Sequence, residues 1–232
     1  MADRYTYIPI IGLLIIIVWG LHDLTQSWQC QGTASAIACG LVSLVCISLT
    51  HRQLGYWMDC ERLFRHTLAV TENNTIAHNN LASALYDTGH PDEAIAELKE
   101  ALSLSPQSPG IHYNLGLALA KSGQVDDAIK QFHIALKISP QSPFYHNDWA
   151  NAFVIKGDLD DAIRVYQEAI RLNPLQPDFH NNLGVTLLKK GRWDDAIHEC
   201  QEALRLSPGF EKARIALANA LNQKKASQPG GM

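Results

Sequence analysis

The chain has 232 residues, a mean hydropathy near zero and a formal net charge of −4, which excludes the basic stripe that a nucleic-acid surface requires. Its five cysteines, Cys30, Cys39, Cys46, Cys60 and Cys200, show no metal-ligand spacing and no regular disulfide framework. No glycine-rich phosphate loop, Ser/His/Asp set or Cys/His nucleophile pair stands out, so no catalytic residue, cofactor or metal is expected.

The first 50 residues are almost wholly apolar. Tyr5 to Leu24 is long enough to span a bilayer, with Tyr5, Tyr7 and Trp19 near its ends. A cleaved signal peptide fits it less well: the start is Asp3-Arg4, and no small-x-small site follows the apolar core. A second run, Ala34 to Thr50, carries Ala36, Ala38, Gly40, Ser43 and Ser48, small residues that let transmembrane helices approach. Two transmembrane helices over residues 1–52 are therefore expected. They would give a multi-pass membrane protein with the lipid bilayer and other transmembrane helices as partners. The loop from Asp23 to Thr33 has no Lys or Arg, whereas Arg52, Arg62 and Arg65 follow the second run, which puts both termini on the cytoplasmic side.

From residue 75 onward a fixed period governs the sequence. Pro106, Pro140, Pro174 and Pro208 stand 34 residues apart, as do Gly89, Gly123, Gly157 and Gly191, and Ala94, Ala128, Ala162 and Ala196. Such a period means a solenoid, here with units at 75–108, 109–142, 143–176 and 177–210. Apolar residues at helical spacing mark a first helix in each unit, among them Leu81 and Leu85, Leu115 and Leu119, Trp149 and Phe153, and Leu183 and Leu187. The Gly89 series ends each first helix at positive φ. The pairs Asp92-Glu93, Asp126-Asp127, Asp160-Asp161 and Asp194-Asp195 open the second helices, where carboxylates meet the helix dipole and cap free N–H groups. The prolines close each unit. Residues 75–210 carry eleven Lys and Arg against seventeen Asp and Glu, so the array is mildly acidic and no nucleic-acid partner is expected.

The stretch from His180 to Pro208, HNNLGVTLLKKGRWDDAIHECQEALRLSP, resembles the tetratricopeptide repeat nearly throughout. The resemblance covers 75–210 and implies an all-α solenoid whose first helices line a concave groove. Flanking it, Cys60, Phe64, Leu68 and Val70 precede Ala94, Leu98, Leu102 and Leu104 by one period, so Asp59–Thr71 reads as the second helix of a degenerate repeat within 53–74. Residues 211–224 read as a polar capping helix and 225–232 as a disordered tail. The expected architecture is two N-terminal transmembrane helices followed by a tetratricopeptide α-solenoid of four full repeats, a leading half-repeat and a cap.

Asn80, Asn114, Asp148 and Asn182 occupy one position in successive units, and the resemblance implies that this position faces the groove. An amide both donates and accepts, so an Asn ladder can bond peptide backbone without reading sequence. It resembles the amide ladder of the O-linked N-acetylglucosamine transferase superhelix. Asn79, Asn147, Asn151 and Asn181 are neighbours that add to it, and Asp148 would favour a basic group locally. His78, His112, His146 and His180 also recur once per unit. Successive helices lie ~10 Å apart, too far for one ion, so these residues read as packing groups. Asn73-Asn74-Thr75 is an N-x-T sequon that matters in a secretory compartment.

Ala2-Asp3-Arg4-Tyr5-Thr6-Tyr7-Ile8-Pro9, and the stretch Tyr56-Trp57 through Leu63-Phe64 to His78-Asn79-Asn80-Leu81, resemble the membrane junction of O-mannosyltransferase-like proteins with C-terminal tetratricopeptide repeats. That resemblance implies the C-terminal end of such a protein, truncated or standing alone, with repeats facing the lumen or periplasm. The expected function is a membrane-anchored scaffold, not itself an enzyme, that binds an extended peptide or partner protein in its groove. Two alternatives stand beside it: the acceptor-presenting end of a glycosyltransferase, and an assembly module that docks a folded partner.

Overall fold

The computed structural model describes residues 40–50 and 59–227 and is wholly helical there outside short turns. The chain divides into two compact units, residues 1–63 and 64–232. Ten helices are named here: α1 (Cys60–Val70), α2 (Thr75–Asp87), α3 (Pro91–Leu104), α4 (Pro109–Lys121), α5 (Val125–Ile138), α6 (Pro143–Lys156), α7 (Leu159–Leu172), α8 (Pro177–Lys189), α9 (Trp193–Leu206) and α10 (Glu211–Ser227).

The expected membrane spans are corrected by this structure. Tyr5 to Leu24 lies outside the described residues. Of the second run, residues 40–50 are described and form a helix. Among the described residues no helix is long and apolar enough to cross a membrane. The described fold is thus an all-α repeat array, and the multi-pass membrane placement, with its bilayer and transmembrane-helix partners, loses its support.

In the second unit, α2/α3, α4/α5, α6/α7 and α8/α9 form four antiparallel hairpins, called A and B helices in that order within each. Proline opens α3, α4, α6 and α8, where a missing N–H costs nothing and φ is already helical. Each A helix ends as the glycine period requires, with φ of 87° at Gly89, 85° at Gly123, 94° at Gly157 and 77° at Gly191. The following N–H then bonds back to the backbone carbonyl of a buried residue, as in His90 N to Leu85 O (2.8 Å) and Arg192 N to Leu187 O (3.0 Å), closing the helix end. α2 opens differently. Asn73 takes a left-handed φ of 53°, and the Asn74 side chain accepts from Ala77 N at 3.0 Å.

The core is continuous from hairpin to hairpin. Leu81, Leu85, Leu98, Leu115, Leu119 and Phe132 are buried in its first half, against which Phe64 and Leu68 of α1 pack. Tyr166, Leu183 and Leu187 fill the second, and Trp149 and Ile129 pack on both. Within the four hairpins, A helices of adjacent hairpins touch, whereas B helices touch only A helices, so the A helices form the inner side of the row. Two glycines permit the closest hairpin contacts: a Cβ on Gly116 would lie 2.8 Å from the Phe132 ring, and one on Gly184 would lie 2.8 Å from Cys200 Sγ.

The paired acids sit in the first turns of the B helices but do not cap them. His90, Gln124, Asp158 and Arg192 hold the N-cap positions without a side-chain cap bond. Asp126, Asp160 and Asp194 instead reach the end of α6, the end of α8 and α10, where Lys156 (Nζ to Oδ1 3.1 Å), Lys190 and Lys224 pair with them. The first hairpin lacks this strap because Ser122 stands one period before Lys156.

Candidate functional site

The Asn column and its preceding neighbour lie on the inner A-helix face, where successive A helices meet. Asn114 Nδ2 donates to Asn79 Oδ1 at 2.9 Å, and Asn182 Nδ2 donates to Asn147 Oδ1 at 3.0 Å. Between them Tyr113 Oη donates to Asp148 Oδ2 at 2.6 Å. The same link therefore joins α2 to α4, α4 to α6 and α6 to α8, each time between residues 35 apart. At the next junction the position is taken by Ala216, and Asn181 Oδ1 is buried without a partner among the described residues. Asn181 Nδ2 makes a long 3.3 Å contact with Asn182 Oδ1.

Much of the ladder's hydrogen-bonding capacity is thus spent within the fold. Asp148 is the clearest case: besides Tyr113 it accepts from Asn147 Nδ2 (2.9 Å) and Asn151 Nδ2 (3.0 Å). Three donors satisfy its carboxylate, so the expectation that it favours a basic ligand meets an acid already engaged. Asn151 Oδ1 accepts in turn from Tyr166 Oη. Burial, then the charge and hydrogen bond of Asp148, push the Tyr113 phenol well above its ordinary range, and burial raises Tyr166. Among the described residues the half-buried Asn80 makes no side-chain hydrogen bond, Asn114 Oδ1 accepts none and Asn79 Nδ2 donates none.

The inner face also bears a cleft between α2 and α4 with a volume of about 200 Å³, bordered by Asn114. Lys121 crosses beside it, donating to Tyr86 O at 2.6 Å with its ammonium 4.1 Å from the Tyr86 ring centroid. Tyr113 stacks on Tyr145 at 4.3 Å between centroids.

The histidine column does more than fill space. His78, His112 and His180 bond through Nδ1 to Glu97 (2.7 Å), Gln131 (2.8 Å) and Glu199 (2.8 Å), each on the B helix of the same hairpin. His112 and His180 donate from Nε2 to Pro106 O and Pro174 O, both at 3.0 Å, tying in the preceding turn. Val165 stands where the third hairpin would need the acceptor, and His146 turns to Ser142 O at 2.9 Å. The Glu199 hydrogen bond holds His180 above its ordinary range, outweighing burial. Among the described residues no cluster of His, Cys, Asp or Glu is arranged to hold a metal.

Sequence reasoning missed the Tyr113–Asp148 rung, the His–Glu pairs and the Lys–Asp straps. The latter two leave a trace, because both partners recur at the 34-residue period.

Known proteins share this architecture. The tetratricopeptide repeat family model matches residues 62–143 and 147–209. Protein O-mannosyl-transferase TMTC1 of Mus musculus is 33% identical over 108 residues, 46% of this chain. The matched segment spans only 12% of that relative's length. The likeness to O-mannosyltransferase-like repeat proteins expected from the sequence is therefore found. A thermophilic TPR protein of Thermus thermophilus superposes with a TM-score of 0.61 at 21% identity, covering 76% of this chain and 96% of its own. YrrB, described as a TPR protein with an unusual peptide-binding site, gives 0.58 at 19% identity, covering 71% and 85%. At these identities the two structures speak to fold. The family match covers more than half of the sequence, and with the helical hairpins, positive-φ glycines and periodic core it establishes that the chain belongs to the tetratricopeptide repeat family.

Proposed function

We propose that this chain is a protein-interaction scaffold, not itself a catalyst, that holds an extended polypeptide along its inner A-helix face. The observation that carries this reading is the open capacity of the Asn column, the whole Asn80 amide and Asn114 Oδ1, beside a cleft on that face. Asn79, Asn147 and Asp148 serve the reading indirectly, by linking successive A helices, Asn151 by bonding Asp148 and Tyr166, and Asn181 stands beside Asn182 on the same helix. The peptide-binding site named for YrrB is consistent with it. Affinity comes from several backbone bonds of about 1 kcal/mol each.

The test uses reduced, carboxymethylated lactalbumin, a permanently unfolded polypeptide, as the labelled probe. Replacing Asn80, Asn114 and Asn182 together by Ala abolishes binding while helicity persists. Equal binding by the triple variant contradicts the ladder, and a folded partner that it still captures would favour the assembly-module reading.

A second reading is favoured by the O-mannosyl-transferase relatives: the same face presents a protein acceptor to a glycosyltransferase. The transfer chemistry then lies outside the repeats. Sugar transfer to a polypeptide by this chain alone would contradict the scaffold reading.

A further inference from the structure

The cleft between α2 and α4 is graded in character. Its deepest residues, Ala82 and Leu98, are buried, and Leu117 and Tyr86 are half-buried beside them. The exposed Ser83 and Asp87, with Asn114, stand at its edge. About 200 Å³ is below the ~300–1,000 Å³ of small-molecule pockets and suits one aliphatic side chain.

The polar edge narrows the choice. Asp87 has no ion pair among the described residues, and Lys121 is engaged by the Tyr86 carbonyl and ring. Burial raises the Tyr86 phenol first, and the charges of Asp148 and then Asp87 raise it further. Asn114 Oδ1, free to accept, can bond a peptide N–H and so fix which side chain enters.

We infer that this cleft is a side-chain pocket that takes a Leu, Ile, Val or Met of an extended peptide carrying a Lys or Arg within two positions of it. The inference rests on the peptide-binding reading above and gives that site its sequence preference.

The test uses the full chain and acetylated Gly/Ser host peptides with two guest positions, read by fluorescence anisotropy. A Leu-x-Lys guest pair binds about tenfold tighter than Gly-x-Gly, as burial of one aliphatic side chain requires. Ser83→Phe, which fills the mouth, removes the Leu preference, and Asp87→Asn removes the Lys preference alone. Photo-leucine at the apolar guest position crosslinks to Leu98 or Leu117. If Ser83→Phe loses helicity, the exposed Asp87→Asn and the crosslink carry the test. Binding without guest preference, or crosslinks on the B helices away from Leu98, overturns the pocket while leaving the peptide-binding face standing. Absence of binding by any peptide, with unfolded lactalbumin also unbound, overturns both.

Discussion

Asn114 donates from Nδ2 to Asn79 Oδ1 at 2.9 Å, across the junction of two A helices. This bond makes Asn114 a structural residue and leaves only its carbonyl oxygen for a ligand. Asn80, in the same column one repeat earlier, has no such duty. Asn114→Ala should therefore cost about 1 kcal/mol in stability, since it strands a half-buried acceptor on Asn79. Asn80→Ala should stay within ~0.5 kcal/mol of the parent. Urea unfolding of the two variants checks the contrast.

His180 gives the fold a pH dependence of known sign. Its folded pKa is raised, chiefly by the hydrogen bond to Glu199. The stabilisation is fully present below the unfolded histidine value of about 6.5 and is lost as pH rises through the folded value. The melting temperature of the parent should exceed that of His180→Gln by more at pH 5.5 than at pH 8.5. A difference that stays constant or grows with pH would contradict the pairing.

Gly184 and Cys200 define the tightest helix contact in the fourth hairpin. A Cβ at position 184 meets Cys200 Sγ at 2.8 Å and Ala196 O at 3.4 Å. Overpacking of this kind costs about 1–3 kcal/mol, against a helix-propensity gain of ~1 kcal/mol. Gly184→Ala should destabilise, and the penalty should be smaller in a Cys200→Ala background. Thermal or urea unfolding of the double-mutant cycle reads that coupling directly.

The Lys156–Asp126, Lys190–Asp160 and Lys224–Asp194 straps cross repeat boundaries on largely exposed side chains. Exposed pairs contribute about 0–1 kcal/mol each and are screened by salt. Replacing the three lysines by Ala should lower the melting temperature at low salt, with much of the loss disappearing at high salt.

The hairpins were legible because each is specified locally. Prolines at helix starts, glycines at positive φ and apolar residues at helical spacing need only a few neighbours to act, and the 34-residue period repeats them four times. The site was legible only as columns. The sequence shows that residues 80, 114, 148 and 182 share a position, but not that the last three each meet the neighbouring column one repeat earlier, because that depends on how far adjacent A helices slide past one another. Asp148 looked like an odd residue in an amide ladder for this reason. Its meaning appears once Tyr113, also the odd member of its own column, is seen to donate to it. The paired acids misled in a similar way: their place in a first turn suggested caps, whereas Asp126, Asp160 and Asp194 pair with lysines 30 residues on. The apolar N-terminal runs have the composition of membrane spans, yet among the described residues no helix is long and apolar enough to cross a membrane.

The most direct test of the peptide-binding account is the affinity of fluorescein-labelled, reduced and carboxymethylated lactalbumin for the parent and Asn80→Ala chains. The account predicts a Kd about fivefold weaker for Asn80→Ala, the loss of roughly one hydrogen bond, with an unchanged melting temperature. An unchanged Kd would contradict it, because the fully open Asn80 amide on the inner face would then take no part in binding.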